Sequence, residues 1–332
     1  MSKPNILVTG GAGFLGSHLC DALVNQANVI CVDNFTTGSE SNINHLLAHP
    51  SFKFIRHDIS QPLNLGEYRE LDAFQVEALG ISKIYHLACP TSPKRFDAFR
   101  YDTLRANALG SINVLELAKQ HTATIFIASS AVVYGPRRAD NAYVSESMEG
   151  SVDMLSPRAC YDEGKRFTET CAITYKQVFG VDVRIGRLFR LYGPRMPLGE
   201  GHMIPDFILA ALEGKPLVVY GSKTFSTSLC YVADAVEAIE RFMQLDTIDT
   251  PLNIGSDQDL LIEEVAKTVI DLTHSASSIQ YEDPLLFMSP LPLPDISIAK
   301  DLLGWLPITT LKKGIERTIE YTLAEKGIVS LK

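Results

Sequence analysis

Two side chains four residues apart, Tyr161 and Lys165, could together carry out proton transfer. They lie in "PRACYDEGKRFTETCAITYKQVFG", residues 157–180, whose spacing predicts a helix that carries both on one side. A free phenol has a pKa of about 10 and is no base at neutral pH. Because a nearby ammonium favours the phenolate and lowers that pKa, Tyr161 is a candidate general base and Lys165 its activator.

A pair of hydroxyls, Ser129 and Ser130, lies at the end of a predicted strand. The stretch "TIFIASSAVVYGP", residues 124–136, is apolar and β-branched until it reaches these serines and a Tyr-Gly-Pro corner, which indicates a buried strand ending at a surface. The serines could be hydrogen-bonded loop residues, or Ser130 could hold a reacting oxygen. The next two residues, Ala131 and Val132, provide no carboxylate.

A glycine-rich turn follows the first predicted strand. Gly10, Gly13 and Gly16 occur in "TGGAGFLGSHL". At such a turn the first glycine permits a tight bend, the second close approach of a pyrophosphate, and the third close helix–strand packing. The phosphates would lie at a helix N-terminus, where free N–H groups favour an anion. A glycine-rich turn without a ligand is the alternative, and the flanking strand and helix argue against it.

Two acids end the next strands. Asp33 closes "NVICVD" and could accept the adenosine ribose hydroxyls, which favours NAD over NADP because a carboxylate repels a 2′-phosphate. It could alternatively be a turn residue. Asp58 closes "FKFIRHD" and is placed to meet the adenine amino group, or alternatively to cap a helix. The positive nicotinamide of NAD would also favour the Tyr161 phenolate.

The elements around these residues alternate between strand and helix. Strands are predicted at 4–9, 28–33, 52–58, 83–90, 124–130 and 181–189, with helices after the glycine turn, at 96–120 and at 158–178. This alternation predicts an α/β fold, a Rossmann-type doubly wound parallel sheet, with a smaller mixed α/β substrate lobe. We expect the sheet domain to span 1–188 and 225–256, and the lobe 189–224 and 257–332. Trp305 is predicted to anchor the core, and Asp234 to begin a helix.

Charge and cysteine content exclude several classes of protein. The net charge of −9 and the lack of a basic run argue against a nucleic-acid partner. The six cysteines form no Cys-x-x-Cys pair, so neither a metal site nor a disulfide framework is indicated, and free thiols fit a cytoplasmic location. We expect no signal peptide and no membrane span.

The motifs together resemble a known family. "TGGAGFLGSHL", "SSAVVYG" and the Tyr-x-x-x-Lys helix are similar to those of the extended short-chain dehydrogenases/reductases that modify nucleotide sugars. "IYHLACPTSP", "PRACYDEGKR", "YGPRM" and "PDISIAKDLLGWLP" resemble the UDP-glucuronate decarboxylases more narrowly. The resemblance covers nearly the whole chain.

This resemblance implies a reaction and its site residues. Tyr161 would take the proton of the sugar C4 hydroxyl, Ser130 would hold that oxygen, and hydride would pass to NAD and later return. Carbon dioxide would leave from the intermediate 4-ketone. The resemblance implies cofactor contacts at Gly10, Gly13, Phe14, Leu15, Gly16, Asp33, Asn34, Asp58, Ile59, Leu87, Ala88, Asn107, Ser129, Tyr161 and Lys165. It implies substrate contacts at Pro90, Ser130, Arg190, Leu217 and Tyr220, a UDP-sugar substrate, and a homodimer paired through the helices at 96–120 and 158–178.

The chain departs from this family in the substrate pocket. Val132 stands where the decarboxylases have glutamate, Thr227 where they have an arginine expected to face the diphosphate, and Arg190 where they have asparagine. Lys94, Arg95 or Arg190 could supply replacement positive charge. Since "SSAVVYG" lacks the acid, a 4-epimerase is the alternative enzyme, and a dehydratase is less favoured. A non-catalytic NAD-binding sensor or scaffold remains the alternative outside the enzymes.

Overall fold

The computed structural model describes residues 3–140, 142–246, 248–284 and 290–327. Its strands are β1 Asn5–Thr9, β2 Asn28–Asp33, β3 Phe52–Arg56, β4 Lys83–His86, β5 Thr124–Ser130, β6 Tyr143–Val144, β7 Val183–Leu188, β8 Leu191–Tyr192, β9 Leu217–Tyr220, β10 Ser226–Thr227, β11 Cys230–Tyr231, β12 Leu252–Ile254, β13 Leu260–Leu261, β14 Ile279–Glu282 and β15 Leu293–Pro294. Its α-helices are α1 Phe14–Leu23, α2 Val76–Leu79, α3 Arg100–Arg105, α4 Ser111–His121, α5 Ala159–Phe179, α6 Met203–Leu212, α7 Val232–Phe242, α8 Ile262–Thr273, α9 Ser297–Leu303 and α10 Leu311–Glu325.

A seven-stranded parallel sheet forms the centre of the molecule, in the order β12-β7-β5-β4-β1-β2-β3. The strands are apolar because helices cover both faces, which is how parallel sheets are buried. All five residues of β1 are buried, as are six of the seven in β5. The predicted doubly wound sheet is confirmed, and all its carboxyl ends meet at one edge.

The strand predicted over 83–90 is shorter than expected. Sheet pairing ends at His86, so β4 is Lys83–His86. Residues 87–90 leave the sheet, because the Ala88 backbone lies directly against the turn at Gly10. This departure places residues 87–90 where a ligand could reach them.

The predicted helix at 96–120 is divided into several parts. A 3₁₀ turn, Phe96–Phe99, leads into α3, and a π-helical turn, Ala106–Gly110, joins α3 to α4. Such π-turns often mark functional sites. Helix α5, predicted at 158–178, is a single unbroken helix of 21 residues.

The remaining elements form a second lobe beside the sheet. Strand pairs β9·β14 and β10·β13 lie there with helices α6, α8 and α10. One continuous apolar core joins this lobe to the sheet, because the same cluster contains Leu19 of α1 and Val265 of α8. Trp305 is 1% exposed and donates its indole N–H to the Asp234 carbonyl at 2.9 Å, which confirms it as a core anchor. Asp234 lies in the first turn of α7, as predicted.

Within the described ranges, no helix is both long and apolar enough to cross a lipid bilayer. Likewise, no group of three or more His, Cys, Asp or Glu side chains in that part of the chain is arranged to hold a metal ion. All six cysteines are free thiols.

Candidate active site

A cavity of about 460 Å³ opens at the carboxyl edge of the sheet and continues into the second lobe. It lies where the strand order reverses between β4 and β1, the crevice in which doubly wound folds bind their ligands. Of the predicted site residues, its wall includes Gly10, Gly13, Phe14, Leu15, Gly16, Asp33, Asn34, Asp58, Ile59, Leu87, Ala88, Pro90, Ser129, Ser130, Tyr161, Lys165, Arg190 and Tyr220.

The glycine turn is packed too closely to admit side chains. Gly10 has a φ of +72°, and a Cβ there would lie 2.8 Å from the Ala88 backbone. A Cβ at Gly16 would lie 2.1 Å from the Gly10 carbonyl oxygen. Gly13 is the N-cap of α1, so the free N–H groups of that helix open into the cavity. The turn therefore presents bare backbone to any anion bound there.

The two acids lie along the same edge of the cavity. Asp33 is 8% exposed, and its carboxylate accepts hydrogen bonds from the N–H groups of Ala12 at 3.1 Å and Phe35 at 2.8 Å. Burial raises the pKa of Asp33, and those two N–H groups with that of Asn34 oppose the rise. Asp58 accepts from the N–H of Ser60 at 2.9 Å, so it stabilises a turn and also lines the cavity.

The predicted catalytic trio is brought together on the opposite wall. Lys165 is 6% exposed, and its Nζ donates to the Ala128 carbonyl at 2.8 Å. That Nζ lies 5.9 Å from the centroid of the Tyr161 ring. The Ser130 side chain lies close enough to the Tyr161 hydroxyl to lower the pKa of that hydroxyl. A reacting hydroxyl in this part of the cavity would therefore meet a phenol and a serine at once.

Tyr161 remains a phenol in the protein alone. Burial raises its pKa to about 12, and the neighbouring Cys89 thiol adds to the rise. The nearby Ser130 side chain and the charge of Arg158 lower the pKa but are smaller effects. Ionisation near neutral pH therefore requires further positive charge that arrives with a ligand.

Ser129 is committed to a buried network that the sequence did not reveal. Its hydroxyl donates to Glu169 at 2.5 Å, and Glu169 forms two hydrogen bonds with Arg187, at 2.8 and 3.0 Å. The acid and the arginine are 13% and 12% exposed. Arg187 also donates to the Tyr134 hydroxyl at 2.9 Å. This network fixes the end of β5, and hence the position of Ser130.

Replacing Glu169 by Ala should lower the free energy of unfolding by about 3 to 5 kcal/mol, because it leaves the Arg187 charge buried without its carboxylate. Urea denaturation measures the loss. Glu163→Ala on the same helix removes a more exposed acid, 39% accessible and paired with Arg166, and should cost no more than about 1 kcal/mol. Equal losses in the two variants would contradict a structural role for the network.

Two predicted contact residues lie outside the cavity wall. Asn107 is 2% exposed within the π-turn, and its amide donates to the Thr103 carbonyl and to the Cys89 sulfur, so it reaches the cavity only through Cys89. Leu217 is fully buried in β9. The next three residues of the strand, Val218, Val219 and Tyr220, all line the cavity.

The residues at which the chain departs from the family that it resembles do not all lie in the cavity wall. Val132 and Thr227 are 4% and 3% exposed, and neither lines the cavity. Lys94 pairs with Asp206 at 3.2 Å. Similarly, Arg95 pairs with Glu200 at 2.9 Å. Neither Lys94 nor Arg95 lines the cavity, whereas Arg190 lies in its wall.

Sequence reasoning missed several wall residues, including Arg158, Cys89 and His202. Arg158 could have been identified, since it lies three residues before Tyr161 and hence about one helical turn away. Cys89 and His202 line the cavity because of the conformation of the loops that carry them, and no local sequence pattern predicts that conformation.

The chain matches the model of the NAD dependent epimerase/dehydratase family over residues 6–255. It is 39% identical over 320 residues to UDP-glucuronic acid decarboxylase 1 of Xenopus tropicalis, covering 96% of this chain and 72% of that protein. It is 40% identical over 316 residues to UDP-glucuronic acid decarboxylase 6 of Arabidopsis thaliana, covering 95% and 87%.

Solved structures show similar folds. A UDP-glucuronic acid 4-epimerase of Bacillus cereus, in complex with UDP-glucuronic acid and NAD, has a TM-score of 0.83 at 26% identity, covering 97% of this chain and 99% of that one. The UDP-glucose 4-epimerase of Thermotoga maritima, with UDP-glucose, has a TM-score of 0.83 at 25% identity, covering 97% and 99%. The similarity therefore includes both lobes.

Proposed function

The chain belongs to the NAD dependent epimerase/dehydratase family, and from that membership we propose that it converts UDP-glucuronate to a UDP-pentose with loss of carbon dioxide. It is an NAD-dependent enzyme that modifies nucleotide sugars. The observation that carries the proposal is the convergence of Tyr161, Ser130 and Lys165 on the cavity that also contains the glycine turn.

The cavity residues fit the cofactor. The glycine turn packs against its own backbone, and Gly10, Gly13 and Gly16 line the cavity without side chains, which would suit a pyrophosphate. Asp33 lines the same cavity and would accept hydrogen bonds from the ribose hydroxyls. NAD, when bound, would supply reversible hydride transfer at the sugar C4. Lys165, held by the Ala128 carbonyl, would hold the nicotinamide ribose and add positive charge near Tyr161.

The remaining steps follow from the side chains beside the sugar. Tyr161, as phenolate, takes the proton of the C4 hydroxyl while Ser130 donates a hydrogen bond to the same oxygen. The C4 ketone is then β to the C5 carboxylate, so the C–CO₂ bond breaks and its electron pair passes into an enolate at C5. A solvent water donates a proton to C5, where the new C–H bond replaces the bond to the carboxylate, and Tyr161 gives its proton back to the C4 oxygen when the ketone is reduced.

A UDP-sugar 4-epimerase is the second candidate. Position 132 is a valine, which provides no carboxylate to assist at C5, and it lies buried outside the cavity wall. Oxidation and reduction at C4 need no such group. The resemblance of the fold to a UDP-glucuronic acid 4-epimerase is compatible with this alternative. A non-catalytic NAD-binding role would not account for the position of Tyr161 beside Ser130 in the cavity.

Incubation of the protein and NAD⁺ with UDP-glucuronate separates the candidates. Mass spectrometry and proton NMR of the sugar should show loss of carbon dioxide and a pentose product. An unchanged mass with an inverted C4 signal would establish the epimerase instead. An unreacted sugar would overturn both assignments of substrate and direct the search to other sugar nucleotides.

We also propose that the sheet domain comprises residues 1–188 and 225–256, with 189–224 and 257–332 forming the substrate lobe. Strand β12 pairs with β7 of the central sheet, which supports assigning residues 225–256 to the sheet domain. The free thiols are compatible with a cytoplasmic location.

We propose that the enzyme is a homodimer paired through α3, the π-turn and α5. These elements expose large apolar side chains, among them Tyr101 at 70%, Leu104 at 48% and Phe167 at 44%. Phe167→Arg should shift the mass in light scattering from dimer to monomer, because a charge cannot be buried unpaired in such an interface. Leu47→Arg, at a side chain 45% exposed in another region, should leave the dimer intact. A monomeric parent protein would contradict the proposal.

A further inference from the structure

A chain of hydrogen-bonded side chains lies outside the cavity wall. Its members, Thr9, His86, Ser111 and Thr168, are at most 4% exposed and do not line the cavity. The Nδ1 atom of His86, at the end of β4, lies 2.8 Å from the hydroxyl of Thr9, at the end of β1. Its Nε2 atom lies 3.4 Å from the hydroxyl of Ser111 on α4. That hydroxyl lies 3.0 Å from the hydroxyl of Thr168 on α5.

The carbonyl groups around Thr168 fix the direction of this chain. The Thr168 hydroxyl lies 3.0 Å from the Asn107 carbonyl oxygen and 2.9 Å from that of Gly164. Because a carbonyl only accepts, the single hydroxyl hydrogen of Thr168 goes to one of these two groups, and Ser111 donates to Thr168. Ser111 in turn accepts from His86, so the Nε2 atom of that imidazole carries a hydrogen.

The imidazole of His86 is neutral in this arrangement. Burial and the charge of Lys165 lower the pKa of His86 to about 3. The ring therefore carries one hydrogen at neutral pH, on Nε2, and Nδ1 accepts from the Thr9 hydroxyl. Every donor is used in one direction, from Thr9 on the sheet to Thr168 on the helix. A buried polar network that is satisfied in this way favours one arrangement of the elements that it joins.

Both ends of the chain adjoin the residues proposed to act on the ligands. Thr9 directly precedes Gly10, the first residue of the glycine turn. Thr168 lies three residues after Lys165, about one turn farther along the helix that also carries Tyr161. The chain therefore connects the glycine turn to this helix through side chains alone.

We propose that His86 is a positioning residue, which acts through Ser111 and Thr168 to hold α5 in the position relative to the glycine turn that the reaction requires. The inference rests on the proposed function and deepens it, because it assigns a role in the placement of Tyr161 and Lys165 to residues outside the cavity. A displacement of about 1 Å at reacting groups can cost on the order of 100-fold in rate.

Two substitutions of Thr168 separate its hydroxyl from its packing. Thr168→Val keeps the shape and removes the hydroxyl, whereas Thr168→Ser keeps the hydroxyl and removes a methyl group. Thr168→Val should lower kcat on UDP-glucuronate by about 10- to 100-fold and leave KM within about twofold, because the substrate lobe is untouched. It should weaken NAD⁺ binding in calorimetry by about 3- to 10-fold, since Lys165 would hold the nicotinamide ribose. Thr168→Ser should retain both properties.

His86→Leu tests the other part of the chain. It should reproduce the losses of Thr168→Val, and the double variant should lose little more than either single variant, because both changes break the same chain. The matched control is Thr174→Val on the same helix, whose exposed hydroxyl also donates to the carbonyl four residues earlier, that of Thr170, at 2.8 Å. It should behave like the native protein. Thermal unfolding shows whether each variant is folded at the assay temperature.

Three results would overturn the inference. The first is a Thr168→Val protein with the kcat and the NAD⁺ affinity of Thr174→Val. The second is a loss in Thr168→Ser as large as that in Thr168→Val, which would assign Thr168 to packing alone. The third is a double variant whose losses are additive. If the native protein does not turn over UDP-glucuronate, the proposed function fails, and the NAD⁺ affinities alone decide the inference.

Discussion

Tyr161→Phe should lower turnover of the nucleotide sugar by about 100- to 10,000-fold, the contribution typical of a positioned proton-transfer group. The change removes only the hydroxyl beside Ser130 and leaves the ring that lines the cavity. NAD⁺ affinity should therefore stay close to that of the parent. Initial rates at saturating substrate, with NAD⁺ binding followed by calorimetry, measure the two quantities separately.

Tyr175→Phe is the matched control for this substitution. Tyr175 lies on the same helix, and its hydroxyl donates to Glu116 at the surface at 2.6 Å. Its loss should leave turnover unchanged. If Tyr161→Phe turned over as fast as Tyr175→Phe, the phenol would not be the proton carrier, and the proposed reaction sequence would have to be abandoned.

Gly16→Ala should abolish measurable NAD⁺ binding, with a loss of about 100-fold or more in affinity. The new Cβ would lie 2.1 Å from the Gly10 carbonyl oxygen and 2.8 Å from the Gly11 Cα. Both neighbours are backbone atoms, so relief requires α1 to move away from β1, which distorts the phosphate cradle. The thermal midpoint should fall as well, and fluorescence titration with NAD⁺ reports the affinity.

Gly66→Ala is the comparison for this second change. A Cβ at Gly66 would meet only side-chain ends, those of Glu77 at 3.1 Å and Asn64 at 3.5 Å. Its NAD⁺ affinity should match that of the parent protein. If Gly16→Ala bound NAD⁺ with the parent's affinity, the glycine turn would not hold the cofactor, and the dinucleotide site would have to lie elsewhere.

Much of the sheet is predictable because its signals are local. Strand β2 was expected at 28–33 and is Asn28–Asp33, and the helix expected at 158–178 is α5, Ala159–Phe179. Glycine spacing and a Tyr-x-x-x-Lys helix are likewise read within single segments. These short-range patterns identify Tyr161 and Lys165 as site residues without any knowledge of tertiary contacts.

The features that the sequence did not reveal depend on register between distant segments. Glu169 meets Arg187 only because α5 packs across β5 and β7. Asn107 does not line the cavity because it lies in the π-turn, and no residue type in the sequence predicts that turn. Leu217 is fully buried at the start of β9 while the next three residues line the cavity, and only the packing of this strand against the rest of the lobe decides the difference.

The most direct test of the account uses UDP-glucuronate that carries deuterium at C4, with NAD⁺ and the native enzyme. Because oxidation and reduction are proposed at the same carbon with the same bound cofactor, the pentose product should retain deuterium at C4. Proton NMR would then show no C4 signal in the product. A product with protium at C4, or deuterium recovered in free NADH, would contradict the central claim that the hydride leaves and returns within one turnover.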